Sequence, residues 1–367
     1  MTDQNQVAPP APEQVSAEIE RQLVDPKKLQ DFLQDRLPGT GAFEIKRHLA
    51  GHSCETFFVG RDGNQWVLRR PPLAVYLPTA HDVLREHRVL SALADTPVRS
   101  PKPVLVCEDD EVLGAPFYLM ERKDGYVLRT EIPDVLDSRQ DHKRIGAELV
   151  TALAELHNVD YVSVGLDGFG KPTGYLSRQI RRWTGQLELA SSITKQSREV
   201  PEMWQIRDWL ASNVPSSAAS VIVHGDYKLD NVMYAPRSPA TVNSIFDWEM
   251  STIGDPLADL GWMLSYWREE GDPEDVLHSA LNALTTGEGF LSRADLIGLY
   301  EELTGTRIDN IRWYVVAAVW KLACLLEGSY GRHLMGTTDD PFFAMLETGI
   351  PALAQRALDI SRGAMEL

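Results

Sequence analysis

Three polar residues near the middle of the chain have the types and spacing that phosphoryl transfer requires. A short apolar run leads into Asp226, Asn231 follows five positions later, and a second apolar run ends at Asp247. A carboxylate can accept the proton of a substrate hydroxyl, and carboxylate and amide oxygens are ligands that Mg²⁺ prefers. We therefore predict that Asp226 is the catalytic base and that Asn231 and Asp247 hold Mg²⁺ against a triphosphate.

Two neighbouring residues are candidates for supporting these three. His224 precedes Asp226 by two positions, and Glu249 follows Asp247 by two. We expect His224 to be mainly structural. Glu249 is expected either to support the metal ligands or to complete the local turn.

An ordinary turn is the alternative explanation for this segment, because Asp and Asn both favour turns. The order of the following residues argues against it. Asp255 stands before Pro256, as is typical of a helix start, and Asp259 follows within that helix. We expect Asp255 to cap the helix and Asp259 to brace the loop that carries Asp226.

The elements that must position these residues fall into a strand-rich part and a helix-rich part. Alternating apolar runs bounded by turn residues predict strands, and apolar residues at helical spacing predict helices. In the first part we predict strands at 43–50, 55–60, 64–70, 103–108 and 116–121, with helices at 25–37 and 79–94. In the second part we predict strands at 220–224, 232–235 and 242–247, among helices at 138–157, 174–190, 201–213, 256–267, 273–284, 291–304, 308–329 and 342–361.

This segregation of strands and helices predicts an α+β protein with two lobes. Residues 1–20 are Pro-rich and polar, and we predict a disordered tail there. Residues 21–124 are predicted to form an N-terminal nucleotide-binding lobe, an antiparallel sheet plus a helix. Residues 125–367 are predicted to form a larger, mainly helical lobe with the catalytic loop and the substrate pocket.

Composition excludes several classes of function. The chain has 367 residues with 53 acidic and 36 basic side chains, a formal charge of −17, which disfavours binding to nucleic-acid phosphates. Its three cysteines are far apart, which argues against a disulfide framework and fits a cytoplasmic location. The N-terminus does not resemble a signal peptide and no apolar stretch is long enough for a membrane span. We expect a small-molecule hydroxyl substrate as the partner, no nucleic acid and no membrane; the oligomeric state stays open.

The pattern H-G-D-x-x-x-x-N, followed by I-x-D-W-E and G-D-P-x-x-D-L, resembles the aminoglycoside phosphotransferase family, a branch of the protein-kinase-like superfamily. The resemblance implies a two-lobed kinase-like fold, ATP (or GTP) as phosphoryl donor, and Mg²⁺. It also implies nucleotide-binding positions in the first lobe. These are Ser53 in a phosphate-covering loop, the Arg69 and Glu86 pair at the α/β-phosphates, and Met120, Glu121 and Lys123 at the adenine hinge.

Other classes of protein are less compatible with the sequence. Residues 165–171 have the spacing of a P-loop, but Pro172 stands where the Mg²⁺-binding hydroxyl belongs. There is no G-x-S-x-G elbow of a serine hydrolase, and no D-F-G or A-P-E of a protein kinase. A non-catalytic, nucleotide-binding pseudokinase is the alternative from another class.

A basic patch and a Trp-rich helix bear on the substrate. Arg178, Arg181 and Arg182 are neighbours at helical spacing and form either a solvated face or a dock for an anionic group. The segment 178–183 and the helix at 312–326 resemble kinase-like domains associated with acyl-CoA dehydrogenases, which implies hydroxyacyl-CoA substrates. An unassigned small hydroxyl compound and an aminoglycoside are the alternatives.

Overall fold

The computed structural model describes residues 22–48, 54–73, 82–217, 219–273, 284–336 and 341–364. The chain separates into two compact units. The first comprises Met1–Ala94 and Pro101–Lys123, and the second comprises Asp95–Ser100 and Asp124–Leu367. The tail predicted at 1–20 lies outside the described residues.

An antiparallel sheet forms the frame of the first unit. Its strands lie in the order β1-β2-β3-β5-β4. They span Glu44–His48 (β1), Glu55–Arg61 (β2), Asn64–Arg70 (β3), Pro103–Cys107 (β4) and Phe117–Glu121 (β5). The turn between β2 and β3 places Asp62 and Gly63 at φ values of 49° and 81°, the left-handed conformation that tight hairpins require.

Two helices flank this sheet, and both are shorter than predicted. Helix α1 (Pro26–Leu33) packs its buried leucines against one face of the sheet. After the helix, the carbonyls of Gln34 (3.0 Å) and Leu37 (3.3 Å) accept hydrogen bonds from the Arg61 guanidinium. Helix α2 (Val83–Leu93) begins where the Asp82 carboxylate accepts the N–H of Arg85 at 3.0 Å.

A one-turn helix, α3 (Asp110–Leu113), connects β4 and β5. The Asp109 carboxylate accepts the N–H of Glu111 at 2.9 Å, and Gly114 ends the turn at a φ of 77°. A capping acid and a terminal glycine are therefore enough to close one helical turn.

The second unit is mainly helical. Its helices are Arg139–His157 (α4), Tyr175–Thr194 (α5), Pro201–Ser212 (α6), Leu257–Tyr266 (α7), Arg293–Thr304 (α8), Ile311–Leu334 (α9), Pro341–Ala344 (α10) and Leu346–Ser361 (α11). Helix α9 is the centre of this unit, since α5, α7 and α11 all pack against it. One long helix was predicted at 342–361, and the structure has two helices there, α10 and α11. The helix predicted at 273–284 lies almost entirely outside the described residues.

Short strands between these helices carry the polar residues singled out above. Strand β7 (Val221–Val223) pairs with β10 (Thr252–Gly254), and β8 (Val232–Tyr234) pairs with β6 (Tyr126–Val127) and β9 (Val242–Ile245). Strands β6 and β10 were not predicted, because two or three residues are too few to show a periodic pattern. Within the described residues, no helix is both long and apolar enough to cross a membrane.

Candidate functional site

The loop after β7 is held by one buried carboxylate. Asp259, in the first turn of α7, accepts the backbone N–H of His224 at 2.6 Å and that of Gly225 at 2.8 Å. Gly225 has a φ of 87°, and a Cβ atom there would lie 2.6 Å from the carbonyl oxygen of Met250. The loop therefore requires both the carboxylate of the helix and the glycine.

His224 connects this loop to the strand that leads to Asp247. Its Nε2 lies 2.8 Å from the carbonyl oxygen of Phe246, and its Nδ1 lies 3.2 Å from the N–H of Asp226. A carbonyl only accepts and a backbone N–H only donates, so the ring is neutral with its proton on Nε2. The side chain is fully buried. These contacts make His224 a positioning residue.

The Asp226 carboxylate is fixed by hydrogen bonds on both oxygens. Oδ1 accepts Nε1 of Trp262 at 2.8 Å, and Oδ2 accepts Nδ2 of Asn231 at 2.8 Å. The ammonium of Lys228 lies 3.7 Å from Oδ1. These donors fix the orientation of the carboxylate, and each oxygen retains lone-pair capacity for a substrate proton.

Asn231 and Asp247 lie at the same end of the β8–β9 ladder. The Asn231 amide nitrogen donates to both the backbone and the side chain of Asp226, at 2.8 Å each, so its other amide atom, Oδ1, is the one suited to a cation. The N–H of Phe246 donates to the Asn231 carbonyl at 2.8 Å, which aligns the two segments. Asp247 then adopts a left-handed backbone with φ 64° and ψ 63°, a conformation that a non-glycine residue adopts at a cost and that clusters at functional sites.

Asn231 and Asp247 offer the oxygen ligands that Mg²⁺ prefers, but too few of them to complete its coordination. Mg²⁺ takes about six oxygen ligands, usually one or two carboxylates together with phosphates and water. Within the described ranges, no group of three or more His, Cys, Asp or Glu side chains is arranged to hold a metal. A Mg²⁺ ion at Asn231 and Asp247 would thus take its remaining ligands from a phosphate chain and water.

The other predicted acids of this segment have mainly local contacts. The Asp255 carboxylate accepts the N–H of Leu257 at 2.9 Å and the hydroxyl of Tyr314 at 2.9 Å, which caps α7 and ties it to α9. Burial raises the pKa of Asp255. Glu249 is half-buried in the single 3₁₀ turn Trp248–Met250, directly after Asp247.

Three residues of the site were missed from the sequence, namely Lys228, Trp262 and Lys321. Lys228 lies 3.8 Å from the carboxylate of Asp230 and 4.9 Å from the ring centroid of Tyr266. Burial alone would lower the pKa of Lys228, but Tyr266 and the nearby aspartates raise it overall. Lys228 could have been found from the sequence, because it lies two positions after the predicted base. Lys321 could have been found as a charged residue inside an apolar helix. Trp262 had no such feature and was similar to other core tryptophans.

In the first unit, the structure brings Arg69 and Glu86 together. Nη1 of Arg69, on β3, lies 2.7 Å from Oε1 of Glu86, on α2, and both side chains are buried. Tyr118 lies beside the pair, and burial together with the Glu86 charge raises the pKa of its hydroxyl. Breaking such a buried pair leaves an uncompensated charge. The contact of Arg69 with nucleotide phosphates stays a prediction.

The predicted hinge residues end strand β5. Met120 is buried, and the N–H of Glu121 donates to the Lys102 carbonyl at 2.9 Å. The Glu121 side chain forms an ion pair with Lys123. An adenine edge at Glu121 would therefore meet its carbonyl and not its N–H. Ser53, predicted in the phosphate-covering loop, lies outside the described residues.

The three arginines predicted as a solvated face or an anion dock differ in their surroundings. Arg178 donates to the backbone carbonyls of Lys171 and Thr173, so its guanidinium closes the loop before α5. Arg181 and Arg182 are exposed. Of the three predicted arginines, two are thus presented to solvent. The P-loop-like stretch before them is a connection between α4 and α5, as expected.

The comparisons with known proteins agree with this geometry. The sequence pattern described as "Phosphotransferase enzyme family" matches residues 44–289. The chain therefore belongs to the phosphotransferase enzyme family. The resemblance inferred from the H-G-D-x-x-x-x-N pattern is confirmed, and so is the α+β, two-lobed protein-kinase-like fold.

Two individual proteins are similar to this chain over most of its length. The chain is 33% identical over 348 residues to acyl-CoA dehydrogenase family member 11 of Rattus norvegicus, covering 92% of this chain and 43% of the relative. It thus spans less than half the length of that curated relative. A crystal structure of a candidate aminoglycoside phosphotransferase from Ralstonia eutropha JMP134 is 30% identical, with a TM-score of 0.77, and covers 93% of this chain and 99% of that one.

A more distant structure shares the fold alone. Spectinomycin phosphotransferase, in complex with ADP and spectinomycin, has a TM-score of 0.57 at 10% identity and covers 90% of this chain and 98% of that one. In that other protein, this fold holds ADP and spectinomycin.

Proposed function

We propose that the protein transfers the γ-phosphoryl group of ATP to a hydroxyl group of a small molecule. The observation that carries the proposal is the Asp226 carboxylate, which is held by donors on both oxygens beside Asn231. An acid so fixed can orient a hydroxyl and accept its proton. The hydroxyl oxygen forms a bond to the γ-phosphorus, the bond from phosphorus to the bridging oxygen breaks, and ADP leaves.

Each unit, taken by itself, is proposed to carry nucleotide-binding residues. In the first unit, Arg69, steadied by Glu86, would pair with phosphate oxygens, and the end of β5 would meet the adenine. In the second unit, Asn231 and Asp247 would hold Mg²⁺, which neutralises phosphate charge when it is bound. The ADP bound to the distant relative supports a nucleotide as the donor.

Lys228 is proposed to assist at the transferring group. Its ammonium lies 3.7 Å from Asp226 Oδ1, so it stands next to the atom that would receive the substrate proton. The raised pKa keeps this lysine charged at neutral pH. A fixed positive charge at that position favours the negative charge that moves with the phosphoryl group.

A hydroxyacyl-CoA is the second candidate for the acceptor. An apolar, aromatic pocket opens beside the catalytic loop, and exposed Arg181 and Arg182 lie on the neighbouring helix α5. The first would suit an acyl chain and the second anionic phosphates. The relatives named as acyl-CoA dehydrogenase family members support this candidate. An unassigned small alcohol and a pseudokinase role stay as alternatives.

The test is ATP consumption with Mg²⁺ against a panel of aminoglycosides, hydroxyacyl-CoAs, simple sugars and amino alcohols. Asp226→Ala should abolish turnover and leave nucleotide affinity largely intact. Asp167→Ala, an exposed aspartate in the loop before α5, is the matched control and should retain turnover. Turnover that survives Asp226→Ala would overturn the assignment of the base. ATP binding without turnover of any compound would favour the pseudokinase.

A further inference from the structure

Lys321 places a positive charge directly behind the catalytic loop. It interrupts the apolar sequence in the middle of α9, and its ammonium donates to the carbonyl of Gly225 at 2.5 Å. The same ammonium lies 3.9 Å from the ring centroid of Trp262 and 5.7 Å from that of Trp183. Trp262 donates a hydrogen bond to Asp226, and Gly225 precedes Asp226 in the chain. Lys321 therefore contacts two residues that adjoin the proposed base.

The ammonium also lines a pocket with aromatic walls. Tyr175, Trp183, Trp262 and Trp313 are among its lining residues, and the catalytic loop contributes Gly225. The cavity volume is about 60 Å³, and the lining is predominantly apolar. A molecule in this pocket would therefore have its apolar body against rings and one end next to the loop that carries Asp226.

The surroundings of Lys321 do not fully satisfy its charge. An ammonium has three N–H donors, and among the described residues one oxygen, that of Gly225, accepts from it. Burial lowers the pKa of Lys321 to about 8, and the carboxylates only partly offset this effect. The titratable groups that face it are Asp226 and Lys228 of the catalytic loop, Asp259 of α7, Tyr175 and Arg182 of α5, and Tyr314 of α9.

We propose that this pocket binds the acceptor substrate, and that Lys321 selects an acceptor whose apolar body carries an acyl oxygen, as a carboxylate or a carbonyl. The acyl oxygen accepts an N–H of Lys321, and the apolar body covers the aromatic walls. An acceptor with an ammonium group at this end is rejected, because two positive charges would meet in a low-dielectric site. The proposal rests on the proposed function for the identity of the occupant as the acceptor.

The test uses three eight-carbon probes that differ only at one end: octanoate, octanamide and octylamine. Binding is followed by tryptophan fluorescence and by calorimetry, without nucleotide. We expect octanoate to bind at least about 10-fold more tightly than octylamine, since a hydrogen bond to a charged group contributes about 1.5–3 kcal/mol. Octanamide separates the two sources of the acyl oxygen, since it supplies a carbonyl without charge.

Two further measurements assign the preference to Lys321. Lys321→Met should weaken octanoate about 10-fold and leave octylamine no weaker, whereas Lys195→Met, on the exposed end of α5, should change neither. In the unsubstituted protein at pH 8, octanoate should bind with uptake of about half a proton, because a lysine with a pKa of about 8 is half neutral there and is recharged by the anion.

The outcomes that would overturn the proposal are specific. They are octylamine binding as tightly as octanoate, or an octanoate preference that persists in a folded Lys321→Met protein, with folding checked by thermal melting. If that variant does not fold, Lys321→Gln takes its place, because glutamine keeps a donor for the Gly225 carbonyl without the charge, and an octanoate preference that persists there overturns the proposal equally. None of these measurements involves phosphoryl transfer, so their failure beside Asp226-dependent turnover would remove this proposal alone.

Discussion

Replacing Trp262 by Phe isolates one hydrogen bond at the proposed base. The variant keeps an aromatic ring beneath Lys321 but removes the Nε1 donor that lies 2.8 Å from Asp226 Oδ1. A hydrogen bond to a charged acceptor contributes about 1.5–3 kcal/mol. If the bond is needed to hold the carboxylate in the transition state, kcat should fall about 10- to 150-fold.

Trp313→Phe is the matched control for this variant. Trp313 lines the same pocket, and its Nε1 donates at 3.1 Å to a neutral acceptor, the carbonyl of Leu210. Both variants lose the same ring atoms and one hydrogen bond. Trp262→Phe should lose somewhat more unfolding free energy, because its acceptor is charged whereas that of Trp313 is neutral. Their rates of phosphoryl transfer should differ.

The assay is Mg²⁺-dependent ATP hydrolysis, with water as the acceptor, alongside urea unfolding of each variant. The expected result is a rate loss confined to Trp262→Phe, with a loss of unfolding free energy in both variants that is larger in Trp262→Phe. Equal rates in the two variants would refute the reasoning, because the donor to Asp226 would then have no effect on the chemical step.

Three further predictions concern the supports of the site. Gly225→Ala should destabilise the protein by more than about 2 kcal/mol in urea unfolding, because φ is 87° and the new Cβ meets backbone; Gly168→Ala, at φ 75° with open space, should cost only about 1–2 kcal/mol. Asp259→Asn should cost about 3–5 kcal/mol at pH 7, because it removes a buried charge that accepts backbone N–H groups. Burial raises the pKa of Asp259, but its hydrogen bonds lower that pKa overall. The carboxylate therefore stabilises the fold fully above its unfolded pKa of about 3.9. This stabilisation should disappear in acid unfolding curves as the pH falls through the lower folded pKa. Arg69→Met should destabilise by about 3–5 kcal/mol by removing the cation that faces the buried Glu86 carboxylate, and the double variant with Glu86→Gln should recover part of that loss; an additive double variant would show that the pair is not coupled.

The sequence predicts the parts of this protein that depend on local pattern. The strands that carry Asp226 and Asp247 are short but strongly apolar, and the H-G-D-x-x-x-x-N spacing places Asn231 in contact with Asp226 without knowledge of the fold. The pairing of Arg69 with Glu86 was implied by the family resemblance, and the structure brings the two side chains together.

The contacts that were missed depend on long-range packing. Lys321 meets the carbonyl of Gly225, which is 96 positions away in the chain, and nothing local in either segment indicates this. Arg178 was predicted to belong to a solvated face or an anion dock. Its actual partners are backbone carbonyls in the preceding loop, which no side chain in the sequence indicates. Backbone acceptors are the same for every residue type, so composition cannot reveal which of them a guanidinium will find.

The bonds that hold the catalytic loop have a consequence for how the protein matures. Asp259 reaches His224 across 35 positions, Trp262 reaches Asp226 across 36, and Lys321 reaches Gly225 across 96. Each closure loses chain entropy before it gains a contact. A chain in which α7 or α9 has not docked lacks these contacts, and its catalytic loop is then not held in place. Activity of this protein would therefore report the final packing step of its second unit, and a newly synthesised chain would stay silent until that step is complete.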